Sequence, residues 1–115
     1  LAIPNMKERM MLKPPMDLAA FERKADGVAQ LLKAIGNGRR LMVLCKLVEH
    51  GERTVTDLSS DVGLSQSALS QHLAKMRDEG LVAFRRESQT LWYRIADPRT
   101  ETLLAALYQL YCQED

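Results

Sequence analysis

The most constraining part of this chain is one punctuated run, TVTDLSSDVGLSQSALSQHLAKMRDEG, at residues 54–80. Thr54, with Asp57 three residues on, has the form of a capping box, which starts a helix by satisfying its first free N–H groups. That helix reaches Val62 and stops. Gly63 suits the left-handed position just past a helix end, with Leu64 packing behind it. Ser65 is then a good N-cap for a second helix to about Glu79, which Gly80 ends. A short helix, a tight glycine turn and a second helix make the helix-turn-helix pattern.

The two faces of the second helix differ in kind. At 100° per residue Leu69, Leu73 and Met76 fall within about 60° of one another, so they form the buried stripe. Ser67, Ser70, Gln71, Ala74 and Asp78 point the other way, with Lys75 on a flank. A merely solvated face favours Glu and Lys, the better helix formers. Hydroxyls and a carboxamide instead carry the donors and acceptors that read base edges, and short side chains allow close approach to a major groove. Ser65 and Gln66 stand at the helix start, where free backbone N–H groups take a phosphate. His72 lies about 60° from the buried stripe, which leaves base reading and half-buried packing both open.

The segment that follows, LVAFRRESQTLWYRI, alternates Leu81, Ala83 and Leu91, Tyr93, Ile95 with more polar neighbours around Glu87-Ser88-Gln89. It reads as a β-hairpin, and a hairpin directly after a helix-turn-helix is a wing. Arg85, Arg86 and Gln89 near its tip are expected to reach phosphate or the minor groove, and Arg77 to bind phosphate. Trp92 and Tyr93 are expected to pack the wing. Helices flank this unit: Asp17 caps one to about Ile35, with a stripe of Leu18, Phe21, Val28, Leu31, Leu32 and Ile35. Gly36-Asn37-Gly38 breaks it, and a second runs from Arg39 to about His50 with Leu41, Leu44, Cys45 and Val48 on one stripe. Asp97-Pro98 opens the last, which carries Leu104, Leu107, Tyr108 and Tyr111 and ends near Cys112. Met42 and Met76 are expected to fill core.

The fold class is therefore mainly α with a small β-hairpin wing, a winged helix-turn-helix over residues 17–115. Residues 1–16 read as a tail, because Pro14-Pro15 blocks a helix; residues 1–5 have the look of a vector remnant before Met6. A chain of 115 residues is one domain of common size. Its 16 basic and 15 acidic residues exclude a histone-like polycation, but binding depends on where charge sits. Residues 65–95 form a mildly basic zone (Lys75, Arg77, Arg85, Arg86 and Arg94 against Asp78, Glu79 and Glu87), and the C-terminal end is acidic. Nothing resembles a signal peptide or a membrane span, so a cytoplasmic, nucleoid-associated location and no membrane partner are expected. There is no nucleophile–base pair set, no paired carboxylates around a pocket and no phosphate loop, so no enzyme and no cofactor are expected. The run LLAALYQLY at 103–111 is apolar on several faces. A two-fold homodimer through helices 17–35 and 98–112 would cover it, placing two reading helices about 34 Å apart on double-stranded DNA with a pseudo-palindromic operator.

The order of elements, the stretch GLSQSALSQHLAKMRDEGLV and the wing RRESQTLWYRI resemble the ArsR/SmtB family of winged-helix transcriptional regulators, over residues 18–112. Within it, Cys45 in RRLMVLCKLVEHG and Cys112 in LYQLYCQED are similar to the cysteine pair of the BigR/SqrR/HlyU-type thiol-sensing subgroup. That resemblance implies a repressor whose DNA affinity is controlled by a Cys45/Cys112 switch responding to reactive sulfur species or oxidants. It leaves three alternatives: an anti-silencer or activator with non-essential cysteines, a metal-responsive repressor, and a protein-interaction module. The metal reading is weak on donor chemistry. The helix before the reading helix has no cysteine, the last helix has no His, and soft metals or zinc want those ligands.

Overall fold

A computed structural model describes residues 16–112 of the chain. The N-terminal tail expected before them thus lies almost wholly outside the described residues. The elements are α1 (Leu18–Ile35), α2 (Gly38–His50), β1 (Arg53–Thr54), α3 (Val55–Val62), α4 (Gln66–Asp78), β2 (Val82–Glu87), β3 (Thr90–Ile95) and α5 (Pro98–Cys112). The chain divides into two compact units, one up to Gln30 and one from Leu31 onward.

Local chemistry sets the element ends. The Asp17 carboxylate accepts the Ala20 N–H at 3.0 Å and starts α1. Asn37, expected only as part of a breaker, is the N-cap of α2: its side-chain oxygen accepts the N–H groups of Arg39 and Arg40 at 3.0 and 3.2 Å. Thr54 Oγ1 accepts the Asp57 N–H at 3.1 Å. The Asp57 carboxylate turns instead to Arg53 at 3.5 Å, so the box is half formed. Gly63 is left-handed at φ 69°. The N–H groups of Gly63 and Leu64 both return to the Ser59 carbonyl, at 3.0 and 3.2 Å, which makes the tight turn between α3 and α4.

The second unit has one core. Val43, Leu44, Leu47, Leu58, Leu69, Leu73 and Met76 are fully buried, joined by Val82, Tyr93, Ile95 and Leu104. In α2 the buried set is rotated from the expected stripe: Val43, Leu44 and Leu47 are enclosed, while Leu41, Cys45 and Val48 are half-buried. The reason is that α2 packs on α3, β3 and α5 together, so no single stripe faces inward. Met42 is about half exposed rather than in the core. Ala34 and Ile35 at the end of α1 are buried, but Leu18, Phe21 and Leu32 of the expected stripe are exposed.

The sheet has the order β1-β3-β2, all antiparallel. Its first strand is only two residues long and pairs Arg53 with Tyr93 and Thr54 with Trp92. The hairpin register pairs Val82 with Ile95 and Phe84 with Tyr93. Val82 is therefore buried and Phe84 half-buried beneath the wing, in place of the expected Ala83 alternation. Glu87 pairs with Thr90, so the turn is Ser88-Gln89, with Ser88 at φ 58°.

Candidate nucleic-acid interface

The helix α4 is held from below and bare above. Leu69, Leu73 and Met76 have no exposed surface, and burying each stabilises the helix against the core by about 1.5–3 kcal/mol. Ser67, Ser70, Gln71 and Lys75 are exposed on the other side, and His72 is half-buried at the boundary. The structure thus brings Ser67, Ser70, Gln71 and Lys75 together on one face, as the sequence pattern implies.

At the start of this helix the side chains are partly engaged. Ser65 Oγ accepts the Ala68 N–H at 3.1 Å as the N-cap. The Gln66 amide donates to Thr56 Oγ1 at 3.4 Å and ties the two helices of the motif. At the far end the Arg77 guanidinium lies 5.1 Å from the centre of the Phe84 ring, a cation–π contact that joins α4 to the wing. Arg40, almost buried, donates to the Ala34 carbonyl at 3.4 Å and lies 3.6 Å from Glu79, the residue capping α4.

On the wing the expected residues separate. Arg86 and Gln89 are exposed at or next to the tip. Arg85 is exposed too, but its guanidinium is taken up by carboxylates. Nε donates to Glu52 Oε2 at 2.9 Å, and Nη1 donates to Glu87 Oε2 at 2.7 Å. The hydrogen bond from Arg85 holds the Glu52 carboxyl below its usual range. Sequence pattern had no signal for Glu52, which lies 33 residues from Arg85. A second brace was also missed: Arg53 donates to both Asp61 oxygens, at 3.0 and 2.9 Å, and clips β1 to the end of α3. That bond lowers the Asp61 carboxyl.

The two cysteines are both free thiols, Cys45 half-buried and Cys112 exposed. Burial pushes the Cys45 thiol above its ordinary value, and the charge of Cys112 pushes it further. The helix α2, which carries Cys45, packs on α5, which carries Cys112. Among the described residues no cluster of three His, Cys, Asp or Glu is poised to hold a metal, and no helix is long and apolar enough to cross a membrane.

A buried-below, polar-above α4 behind a tight glycine turn, followed by a short wing, defines a winged helix-turn-helix DNA-binding regulator. Residues 37–83 match the model of the bacterial regulatory protein arsR family. The chain is 46% identical over 99 residues to the transcriptional activator HlyU of Vibrio cholerae, covering 86% of this chain and 91% of that one. The transcriptional repressor BigR from Xylella fastidiosa superposes with a TM-score of 0.79 at 37% identity, covering 86% of this chain and all of that one. A homodimeric winged helix-turn-helix DNA-binding domain from Mycobacterium bovis superposes at 0.70 with 34% identity, covering 84% of this chain and 86% of that one. The chain belongs to the ArsR family of DNA-binding transcriptional regulators, which are not enzymes.

Proposed function

We propose that this protein is a homodimeric repressor that binds a pseudo-palindromic operator and is released from it when Cys45 and Cys112 are oxidised by reactive sulfur species. What supports this reading is the packing of α2, which carries Cys45, on α5, which carries Cys112, with both thiols free. Ser67, Ser70 and Gln71 read bases; Lys75, Arg86 and Gln89 hold phosphate or the minor groove; Ser65 and Gln66 order the helix start, whose free N–H groups take a phosphate. Pairing through α1 and α5 accounts for the exposure of Leu18, Phe21, Tyr108, Leu110 and Tyr111.

In the switch, the Cys112 thiolate attacks a sulfur of an inorganic polysulfide, the oxidant. The polysulfide S–S bond breaks, a shorter polysulfide leaves with the electron pair, and Cys112 becomes a persulfide. The Cys45 thiolate then attacks Cys112 Sγ and expels hydrosulfide, leaving a disulfide. Exposure suits Cys112 for the first attack, and its raised thiol makes Cys45 the slower partner. The bridge ties α2 to α5 and alters the spacing of the paired reading helices.

The test is an electrophoretic shift on duplexes enriched from a randomised pool, with reduced and polysulfide-treated protein. Wild type should lose binding on treatment, while Cys45→Ser and Cys112→Ser bind and stay bound. Release of both variants at the wild-type dose refutes the switch, and failure to enrich any duplex refutes the DNA reading. The likeness to an activator at 46% identity favours a second reading, in which the protein displaces a silencer and the thiols are idle. A promoter reporter that rises with the protein and ignores polysulfide would select it.

A further inference from the structure

The wing joins the body of the protein through very little backbone. The strand β1 offers two residues, and its last rung is Thr54 with Trp92. From there to the tip, Arg86 pairs with Leu91 and Glu87 with Thr90, and the hairpin has only itself. Two-stranded hairpins are marginal alone in water. The last rung with three strands is therefore where the wing's pose is decided, and Arg85 is the cross-strand partner of Trp92 on that rung.

Arg85 spans the sheet there. It belongs to β2, and its guanidinium lies 5.5 Å from the centre of the Trp92 ring on β3. It ends on Glu52, directly before β1, in a two-toothed contact: Nε to Oε2 at 2.9 Å and Nη2 to Oε1 at 3.1 Å. Its remaining nitrogen bonds Glu87 at 2.7 Å on its own strand. One cation thus crosses all three strands, stacked on an aromatic ring and closed by two carboxylates. This fork geometry is particular to arginine.

A phosphate approaching Arg85 meets a guanidinium already held by two carboxylates, with only the second N–H of Nη1 and of Nη2 left to offer. Arg86, the next residue, points to the opposite face of the strand and is exposed. We infer that Arg85 is a positioning residue and not a DNA contact. The Glu52–Arg85–Glu87 clamp over Trp92 fixes the hairpin against the strand entering α3, and so sets where Arg86 and Gln89 meet DNA. The inference rests on the DNA-binding reading above and names a residue, Glu52, that acts in recognition although it carries the wrong charge for it.

Charge makes the test decisive. If Arg85 touched phosphate, Glu52 would compete for it, and Glu52→Gln would tighten binding. If the clamp sets the wing, Glu52→Gln weakens binding even though it removes a negative charge. The probe is a fluorescein-labelled duplex enriched by the wild-type protein. Glu52→Gln and Arg85→Met should each weaken binding roughly fivefold, and the double variant should be no worse than either, as expected for one shared device. Thermal melting should hardly move, since exposed ion pairs contribute little to stability. Trp92 is the only tryptophan in the chain, so its emission in DNA-free protein reports the clamp directly and should shift in Glu52→Gln. Unchanged or tighter binding by Glu52→Gln overturns the inference. An unmoved Trp92 emission overturns it too, whatever the DNA result, and failure of the wild type to enrich any duplex refutes the underlying DNA reading separately. If Arg85→Met does not fold, Glu52→Gln decides alone.

Discussion

Tyr111→Ala should split the dimer without harming the protomer. Tyr111 is 83% exposed, so the core does not depend on it, and alanine is the better helix former, so α5 is not weakened. A tyrosine presents roughly 150–250 Å². If partner contact covers about 80 Å² of it, at ~25 cal/mol per Å² the loss is ~2 kcal/mol per copy. A two-fold interface repeats every residue, so the change counts twice, about 4 kcal/mol, which raises the dimer dissociation constant roughly a thousandfold. Sedimentation equilibrium over a dilution series measures this directly. Gln109→Ala, an exposed and polar neighbour, serves as the control and should change little. A Tyr111→Ala dimer within tenfold of wild type would refute the interface, and so would a wild type that is monomeric at every concentration.

Removing the cap of the reading helix by Ser65→Ala should cost about 1 kcal/mol, which lowers the melting temperature by about 4–8 °C. Ser65→Asp should keep that stability but weaken DNA binding, because it puts a carboxylate where a phosphate must sit; equal binding by the two variants would count against a phosphate there. The Cys45 thiol is raised by burial first and by Cys112 second. Its contribution to stability is therefore complete below the unfolded thiol's value and is lost as pH climbs through the raised folded one. Thiolate absorbance should show Cys45 titrating lower in Cys112→Ser but still above an ordinary thiol, since burial remains.

The parts of this fold that were legible in sequence are those decided within a few residues. Gly63 and Ser65 mark the turn by themselves, because a left-handed residue and an N-cap are local demands. Leu69, Leu73 and Met76 mark the buried face because one helix period suffices. What escaped is what depends on a distant partner. The two residues of β1 are too short to show any alternation, and they become a strand only because β3 lies alongside. Val82 and Phe84 turn inward because Ile95 and Tyr93 stand opposite them. Met42 has a core residue's chemistry, yet its position on α2 falls outside the faces that α3, β3 and α5 cover. The cysteines were placed on their helices correctly, but the packing of α2 on α5 depends on the whole core.

The basic zone at residues 65–95 changes meaning once its partners are known. Charge counting offers Lys75, Arg77, Arg85, Arg86 and Arg94 to DNA alike. In the structure Arg77 lies over Phe84 and Arg85 is closed by two carboxylates. Few cations then remain free beside the reading face, and phosphate contacts supply most of a protein's sequence-independent hold on DNA. On the proposed DNA reading, a face built of Ser67, Ser70 and Gln71 would discriminate between bases better than it grips the backbone. One protomer of this kind binds weakly, whereas two held rigidly at the right spacing add their binding free energies at a single entropic cost. Any change that moves one protomer relative to the other then acts on affinity without touching a DNA-contacting residue. On the proposed reading, a bond between α2 and α5 is in the right place to make such a change, because α5 also carries the exposed Tyr108, Leu110 and Tyr111.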